Sequence, residues 1–320
     1  MMECFTLIEL LDVPRKGMMN KMNLMRHVTL QIRKHPRLVA LLRSVAHKVS
    51  PETVALLDYP INSRRRWVED NPHQGLYNII NQNRSSYKAA LQAFLPLSQN
   101  FLNIPERRTT NSLPTEPCWI NGWMPALDGV ALYGYMVIHK PNIYMEVGSG
   151  NSTMFARKAI VDHNLETRIV SIDPCPRVEV TEICDESIRK PVEEVELQIF
   201  DRLDKNDILY IDNSHRVFMN SDATTMFLDV IPRLRSGILV EIHDITLPYD
   251  YPTEWVNRYY SEQYLLAAYI LAKGHIFDII LPSMFISHDN ELRSILTPLW
   301  EKEEMKNVET HGCSFWIRMQ

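Results

Sequence analysis

Residues 143–157 read Ile143-Tyr144-Met145-Glu146-Val147-Gly148-Ser149-Gly150-Asn151-Ser152-Thr153-Met154-Phe155-Ala156-Arg157, and this stretch decides the fold. Ile143, Tyr144, Met145 and Val147 predict a central parallel strand, buried on both faces. Gly148 and Gly150 then allow a sharp turn and a close approach of the backbone to a ligand. Asn151, Ser152 or Thr153 can cap the helix that follows, whose free N–H groups and dipole favour polar or anionic ligand groups. A strand, a glycine turn and a helix start in this order predict a nucleotide-binding edge.

Downstream the same rhythm repeats. Strands are expected at 168–173, 195–200, 207–212 and 237–242, and helices at 151–163, 180–189 and 221–234. Such alternation predicts parallel βαβ units with right-handed crossovers and ligands at the carboxyl ends of the strands. The last third breaks the rhythm. An aromatic loop at 247–255 leads into a helix at 255–271, whose Tyr259, Tyr260, Tyr264 and Tyr269 either line a cleft or pack a core. Strand-like runs at 276–286 and 314–319 suit an antiparallel sheet edge.

Upstream, 126–139 predicts a helix feeding the opening strand. Residues 103–125 carry Pro105, Pro114, Pro117 and Pro125 among Asn, Thr and Ser, which marks a linker or long loop and places the domain boundary. Within it, Trp119 and Trp123 flank Asn121-Gly122 and either anchor the loop or cover a pocket. The part before it, 1–110, reads as a helical, basic region: helix over 21–49 broken at Pro36, and helix over 72–95 with Asn71 as cap and Pro72 in its first turn.

With 320 residues and 45% hydrophobic content the chain can bury a core of one large or two ordinary domains. No run of eighteen apolar residues occurs, and the first twenty residues carry Glu3, Glu9 and Asp12 where a signal peptide would be basic, so a cytoplasmic location is expected. Five cysteines, odd in number and without C-x-x-C spacing, argue against a disulfide framework and a thiolate zinc site and are expected to be reduced and structural. The net charge of -5 hides an asymmetry, since residues 1–66 hold twelve Lys/Arg against five Asp/Glu. That basic arm is either a solvated helix face or a contact for an anionic partner such as a membrane surface or a glycan. Nothing specific points to nucleic acid, and a homo-oligomer stays open.

Glu146, the Gly148-x-Gly150 turn and Asp173 at the end of the next strand form the arrangement used by adenosine-containing cofactors. The glycines admit the ligand and the second carboxylate accepts hydrogen bonds from ribose hydroxyls. Nicotinamide and flavin enzymes prefer a third glycine where Thr153 stands, so a cofactor without a pyrophosphate is favoured.

The runs Glu146-Val147-Gly148-Ser149-Gly150-Asn151-Ser152, Ser171-Ile172-Asp173-Pro174 and Ile211-Asp212-Asn213-Ser214-His215 resemble the motifs of class I S-adenosylmethionine-dependent methyltransferases, over about 126–244. The resemblance implies a Rossmann-like, doubly wound α/β domain over 111–320, with a mostly parallel seven-stranded sheet, an antiparallel last strand, and a Tyr-rich substrate-cleft insertion near 246–272. It also implies that Glu146, Gly148 and Gly150 meet the methionine part of S-adenosylmethionine, that Ser149, Asn151 and Ser152 bind the cofactor with them, that Asp173 holds the ribose, and that Asp201 contacts adenine.

In the family's sheet order, strands one, four and five are neighbours, so Asp212, His215, His243 and Asp244 converge beside the methyl donor. This pattern is similar to that of metal-dependent O-methyltransferases acting on sugars, macrolides and phenols. It implies Mg²⁺ on Asp212 and Asp244, His215 as general base, and a hydroxyl acceptor on a small molecule or glycan. Asn213 stands where a glycine is frequent. Glu241 alternates with His243, so one of the two points inward. Plainer readings are a turn-capping Asp244 and a structural His215. Two other functions also fit: a nicotinamide-dependent oxidoreductase on the same fold, or a non-catalytic cofactor-binding scaffold recruited by its basic arm.

Overall fold

The computed structural model describes residues 63–110, 112–176, 180–272 and 276–320. The helices expected over 21–49 and most of the basic arm lie outside the described residues.

Seven strands form one sheet, β1 Ile143–Val147, β2 Arg168–Ile172, β3 Glu186–Ile188, β4 Ile208–Ile211, β5 Leu239–Ile242, β6 Phe277–Pro282 and β7 Phe315–Met319. Their spatial order is β3-β2-β1-β4-β5-β7-β6. β1 to β5 pair in parallel, and β7 runs antiparallel between β5 and β6. This is the doubly wound, mostly parallel sheet with an antiparallel last strand. Apolar runs such as Ile208-Leu209-Tyr210-Ile211 are buried throughout, because helices cover both faces of such a sheet. Register then sets the site. Val147 stands level with Ile172 and Ile211, Ile211 with Ile242, and Ile242 with Phe315, so β1, β2, β4 and β5 end together.

The helix Ala126–His139 is buried at every position from Ala126 to Met136, as a helix apolar on all sides must be. Before it, helices Gln74–Gln82 and Arg84–Phe94 contribute Leu76, Ile80, Tyr87, Leu91 and Phe94 to the same core as the strands. The expected cap at Asn71 is displaced: His73 caps the first of these helices, its Nδ1 accepting from the Leu76 amide, and the chain breaks between them at Asn83.

Four other elements differ from expectation. Residues 180–189 form a 3-10 turn, Thr181–Ile183, and then β3. Asp185 accepts from the Ile169 amide and the Arg157 guanidinium, which lays this segment along the open edge of β2. With that edge taken, 195–200 has no strand to pair with, and Leu197–Arg202 coils as a 3-10 helix that buries Phe200. The helix at 221–234 is one α-turn, a π-turn at Met226–Val230 and a 3-10 turn ending before Leu234. The Tyr-rich helix begins only at Glu262, because the Ser261 and Glu262 amides both donate to the carbonyl of His215 and fix the chain there.

Candidate active site: a glycine turn and a buried carboxylate–histidine cluster

Gly148 has φ +82, and a Cβ there would lie 1.9 Å from the carbonyl oxygen of Asp212. Only glycine fits, because the turn after β1 packs directly on the end of β4. Gly150 faces open space, so its small size keeps the turn accessible rather than relieving a clash. Glu146 does not face the cleft. It is fully buried beneath the turn, where it accepts from Tyr144 Oη at 3.1 Å, Ser152 Oγ at 3.0 Å and Thr153 Oγ1 at 2.5 Å. Burial pushes its carboxyl up to about 8, against the pull of those hydroxyl donors. Thr153 Oγ1 in turn accepts from the Gly150 amide. The residue standing at the third-glycine position thus ties helix, turn and strand together. Glu146 and Ser152 shape the turn from below, a role the motif alone did not distinguish from ligand contact.

Asp173 lies at the end of β2 and lines a cleft of about 290 Å³ with Gly148, Ser149, Pro191, Val192, Glu193 and Asp212. The Ser149 amide and hydroxyl donate to one carboxylate oxygen at 2.8 and 2.9 Å, and the Cys175 amide to the other at 2.8 Å. A carboxylate has about four acceptor sites, so it retains capacity for ribose hydroxyls. Asp201 is not brought to this cleft. It sits near the surface on the 3-10 helix, paired with Arg233 at 3.3 Å, because 195–200 did not form the strand that would have carried it. Pro191, Val192 and Glu193 occupy that wall instead.

The second half lies at the ends of β4 and β5. His215 and Asp244 adopt φ +58 and +52, uncommon values for non-glycine residues, and both side chains turn into one buried cluster. Asn213, at the position where a glycine is frequent, does not carry the left-handed turn. It bridges instead: its Oδ1 accepts from the His215 amide and its Nδ2 donates to Glu262. The His215 ring lies 3.0 Å from Glu262 through Nδ1, and 3.2 and 3.6 Å from Asp212 and Asp244 through Nε2. Burial alone would lower its pKa, but hydrogen bonds to Asp212 and Glu262 and the charges of Glu262 and Asp244 hold it well above the usual imidazole range. Glu262 had no sequence signal beyond its place at a helix start, 47 residues from its partner.

Asp212 and Asp244 therefore do converge, but on the Nε2 of His215. That nitrogen takes the position between them that a magnesium ion would need, and a charged imidazole does not ligate a hard cation. As folded, the pair does not fit Mg²⁺.

Of the other two expected groups, His243 points inward, 3.1 Å from Tyr210 Oη and 3.2 Å from Glu241 through Nδ1. Glu241 points inward with it. Trp119 and Trp123 divide the two roles proposed for them. Trp119 is buried and donates to the Phe101 carbonyl, whereas Trp123 is 57% exposed. Both border a larger cleft of about 540 Å³, with Arg107, Asn121, Asp244, Trp255, Arg258 and Cys313 on its walls. The tyrosines mostly stand behind that cleft: Tyr260 stacks on His215 at 4.7 Å, while Tyr264 and Tyr269 bond to Asp250 and the Phe227 carbonyl. A narrow pocket of about 40 Å³, lined by Trp123, Gly150, Asn151, Tyr210, Asp212 and His243 among others, lies where turn and cluster meet.

Residues 145–245 match a family described as a methyltransferase domain, a span from β1 to just past β5. No curated protein matches the chain. Among solved structures, the SAH-bound methyltransferase PaMTH1 of Podospora anserina is 12% identical, with 88% of this chain and 96% of that chain covered at a TM-score of 0.38. No helix among the described residues is long and apolar enough to cross a membrane.

Proposed function

We propose that the chain transfers the methyl group of S-adenosylmethionine to a hydroxyl oxygen of a small molecule or glycan. The observation that carries this reading is the meeting of two clefts. The Gly148–Asp173 cleft and the Trp119–Trp255 cleft approach one another at the narrow pocket that Asp212 and His243 line. The donor would lie along the first, its ribose on Asp173 and its sulfonium methyl toward that pocket, with the acceptor in the second. In-line attack forms the new C–O bond as the C–S bond breaks and its electron pair returns to sulfur. The sulfonium is already electrophilic, so the protein's part is orientation and removal of one proton.

That proton goes to Asp212. Both ring nitrogens of His215 are engaged and its charge is held by carboxylates, so His215 orients the Asp212 carboxylate that takes the proton rather than serving as a freestanding base. Positioned acid–base groups of this kind contribute about 10²–10⁴-fold. The wide, aromatic-edged acceptor cleft, with Arg107, Asn121 and Arg258 on its walls, suits a polyhydroxylated acceptor better than an apolar one.

The test pairs calorimetry with turnover. S-adenosylhomocysteine is expected to bind and NAD not to bind. His215→Ala is expected to keep S-adenosylhomocysteine binding and lose at least about a hundredfold in turnover on a responsive acceptor. NAD binding in preference would favour the oxidoreductase reading. Cofactor binding without consumption across a broad hydroxyl screen would favour a scaffold.

A further inference from the structure

Behind the acceptor cleft, three side chains from distant parts of the sequence meet out of water. Asp128 comes from the first turn of the helix Ala126–His139, His243 from the end of β5, and Cys313 from the residues leading into β7. One ligand atom from each lies within 4.8 Å of the other two, and all three residues are buried. Cys313 Sγ is 3.4 Å from Asp128 Oδ2, 3.4 Å from Asp244 Oδ1 and 3.9 Å from His243 Nε2, and Asp244 Oδ1 is 4.0 Å from the same Nε2. With zinc bond lengths of 2.0–2.3 Å, the edges of a tetrahedral S, N, O, O site come to about 3.3–3.6 Å. The Cys313 sulfur already stands at that spacing from Asp128 and Asp244, and the His243 nitrogen, 3.9 Å from the sulfur and 4.0 Å from Asp244, moves inward on binding.

Three further observations point to a cation. A thiol has one proton, so Cys313 can donate to Asp128 or to Asp244 but not to both, and one close sulfur–carboxylate contact is left without a donor. Asp128, Glu241 and Asp244 are buried around His243, with Asp244 also facing His215 at 3.6 Å, and among the described residues no Lys or Arg forms an ion pair with any of them. Asp128 accepts from the Cys313 and Ser314 amides but has no Lys or Arg partner, and a divalent cation would supply the charge it lacks. Finally, His243 is oriented as a ligand would be. Its Nδ1 faces Glu241 at 3.2 Å, leaving Nε2 toward the thiol, the carboxylate–histidine–metal arrangement that fixes the tautomer.

We infer that Asp128, His243, Cys313 and Asp244 form a binding site for a zinc-class divalent cation. A thiolate and an imidazole favour a borderline-soft ion over Mg²⁺ or Ca²⁺. Binding converts the Cys313 thiol to thiolate, leaves His243 neutral with its proton on Nδ1 toward Glu241, and releases the displaced protons to solvent. The entry path is the acceptor cleft, whose wall includes Cys313 and Asp244. Gly312 admits the close approach of the β7 lead-in to the helix, since a Cβ there would lie 2.4 Å from Asp128 Oδ1. Four protein ligands make the site structural in character. It clasps helix, β5 and β7, and it holds the Asp244 carboxylate whose other oxygen faces His215. A site with one thiolate leaves no C-x-x-C spacing, which is why the cysteine pattern gave no sign of it.

The inference does not depend on the methyl-transfer reading, and its test measures metal rather than turnover. Full-length protein is stripped with chelator under reducing conditions, titrated with Zn²⁺ and dialysed, and its metal content is read by atomic emission. Wild type is expected to retain a single zinc ion per chain, Cys313→Ser to retain none, and Glu241→Gln to bind roughly ten- to a hundredfold more weakly. In parallel, wild-type protein is alkylated and mapped by mass spectrometry. Cys313 should be protected by zinc and exposed again by chelator, while exposed Cys175 reacts in both states. Equal zinc retention by Cys313→Ser, or alkylation of wild-type Cys313 indifferent to zinc, overturns the site. The second arm needs no variant and stands even where Cys313→Ser does not fold.

Discussion

The two halves of the site are built on different physical terms. The glycine half, around Gly148 and Asp173, is made of backbone geometry and short-range hydrogen bonds. Ser149 and Asp173 are 24 residues apart, and Glu146 and Thr153 only seven. The histidine half, around His215 and His243, is made of buried charge drawn from across the chain. His215 meets Glu262, and Cys313 meets Asp128, 185 positions away. A turn specified by adjacent residues forms with its strand and helix. A cluster of carboxylates and imidazoles forms only when the sheet closes and excludes water, since that is when unpaired charge becomes expensive.

This contrast can be broken most severely at Gly148. Gly148→Ala places a methyl group on the Asp212 carbonyl at a positive φ. It should lower stability by roughly 2–5 kcal/mol and abolish S-adenosylhomocysteine binding; thermal denaturation and calorimetry read the two effects together. Asp173→Ala should leave the melting temperature nearly intact and weaken S-adenosylhomocysteine about 10- to 100-fold, through loss of hydrogen bonds to a charged acceptor worth about 1.5–3 kcal/mol. An unchanged affinity would show that the ribose is held elsewhere.

Each half also contains a buried carboxyl pushed up to about 8 by burial, Glu146 in one and Glu241 in the other. For such a group the folded pKa exceeds the unfolded value of about 4.5, so the folded state holds the proton more tightly. Stability from it is complete below about pH 4.5 and is lost as pH rises through about 8, by up to about 1.4 kcal/mol per pH unit. Glu146→Gln should therefore flatten the fall in melting temperature between pH 5 and 8. A slope identical to wild type would mean that Glu146 titrates normally. The smallest effect belongs to Asp201→Ala, which removes only an exposed pair with Arg233 and should leave cofactor affinity unchanged. A tenfold loss would restore Asp201 to the adenine site.

The placement of these residues shows where sequence reading succeeds. Gly148 and Asp173 were legible because a glycine turn and a strand-end acid carry their chemistry in their local spacing. Asp201 was misplaced because an apolar run was read as a strand when the sheet edge it needed was taken by β3. Trp119 and Trp123 could not be separated, since the same residue type packs inward at one position and stands at a cleft rim four residues earlier or later.

By itself, the sequence determined the parallel α/β core, the strand ends that carry the candidate site, and the glycine turn with its strand-end acid, because period, glycine placement and strand-end acids are local properties of the chain. Only the tertiary structure decided that Glu146 braces the turn from beneath, that His215 is clamped by three carboxylates, and that Asp128, His243 and Cys313 share one dry corner. Those facts depend on which distant side chains the closed sheet brings within a few ångströms of one another, and no spacing along the chain encodes that distance.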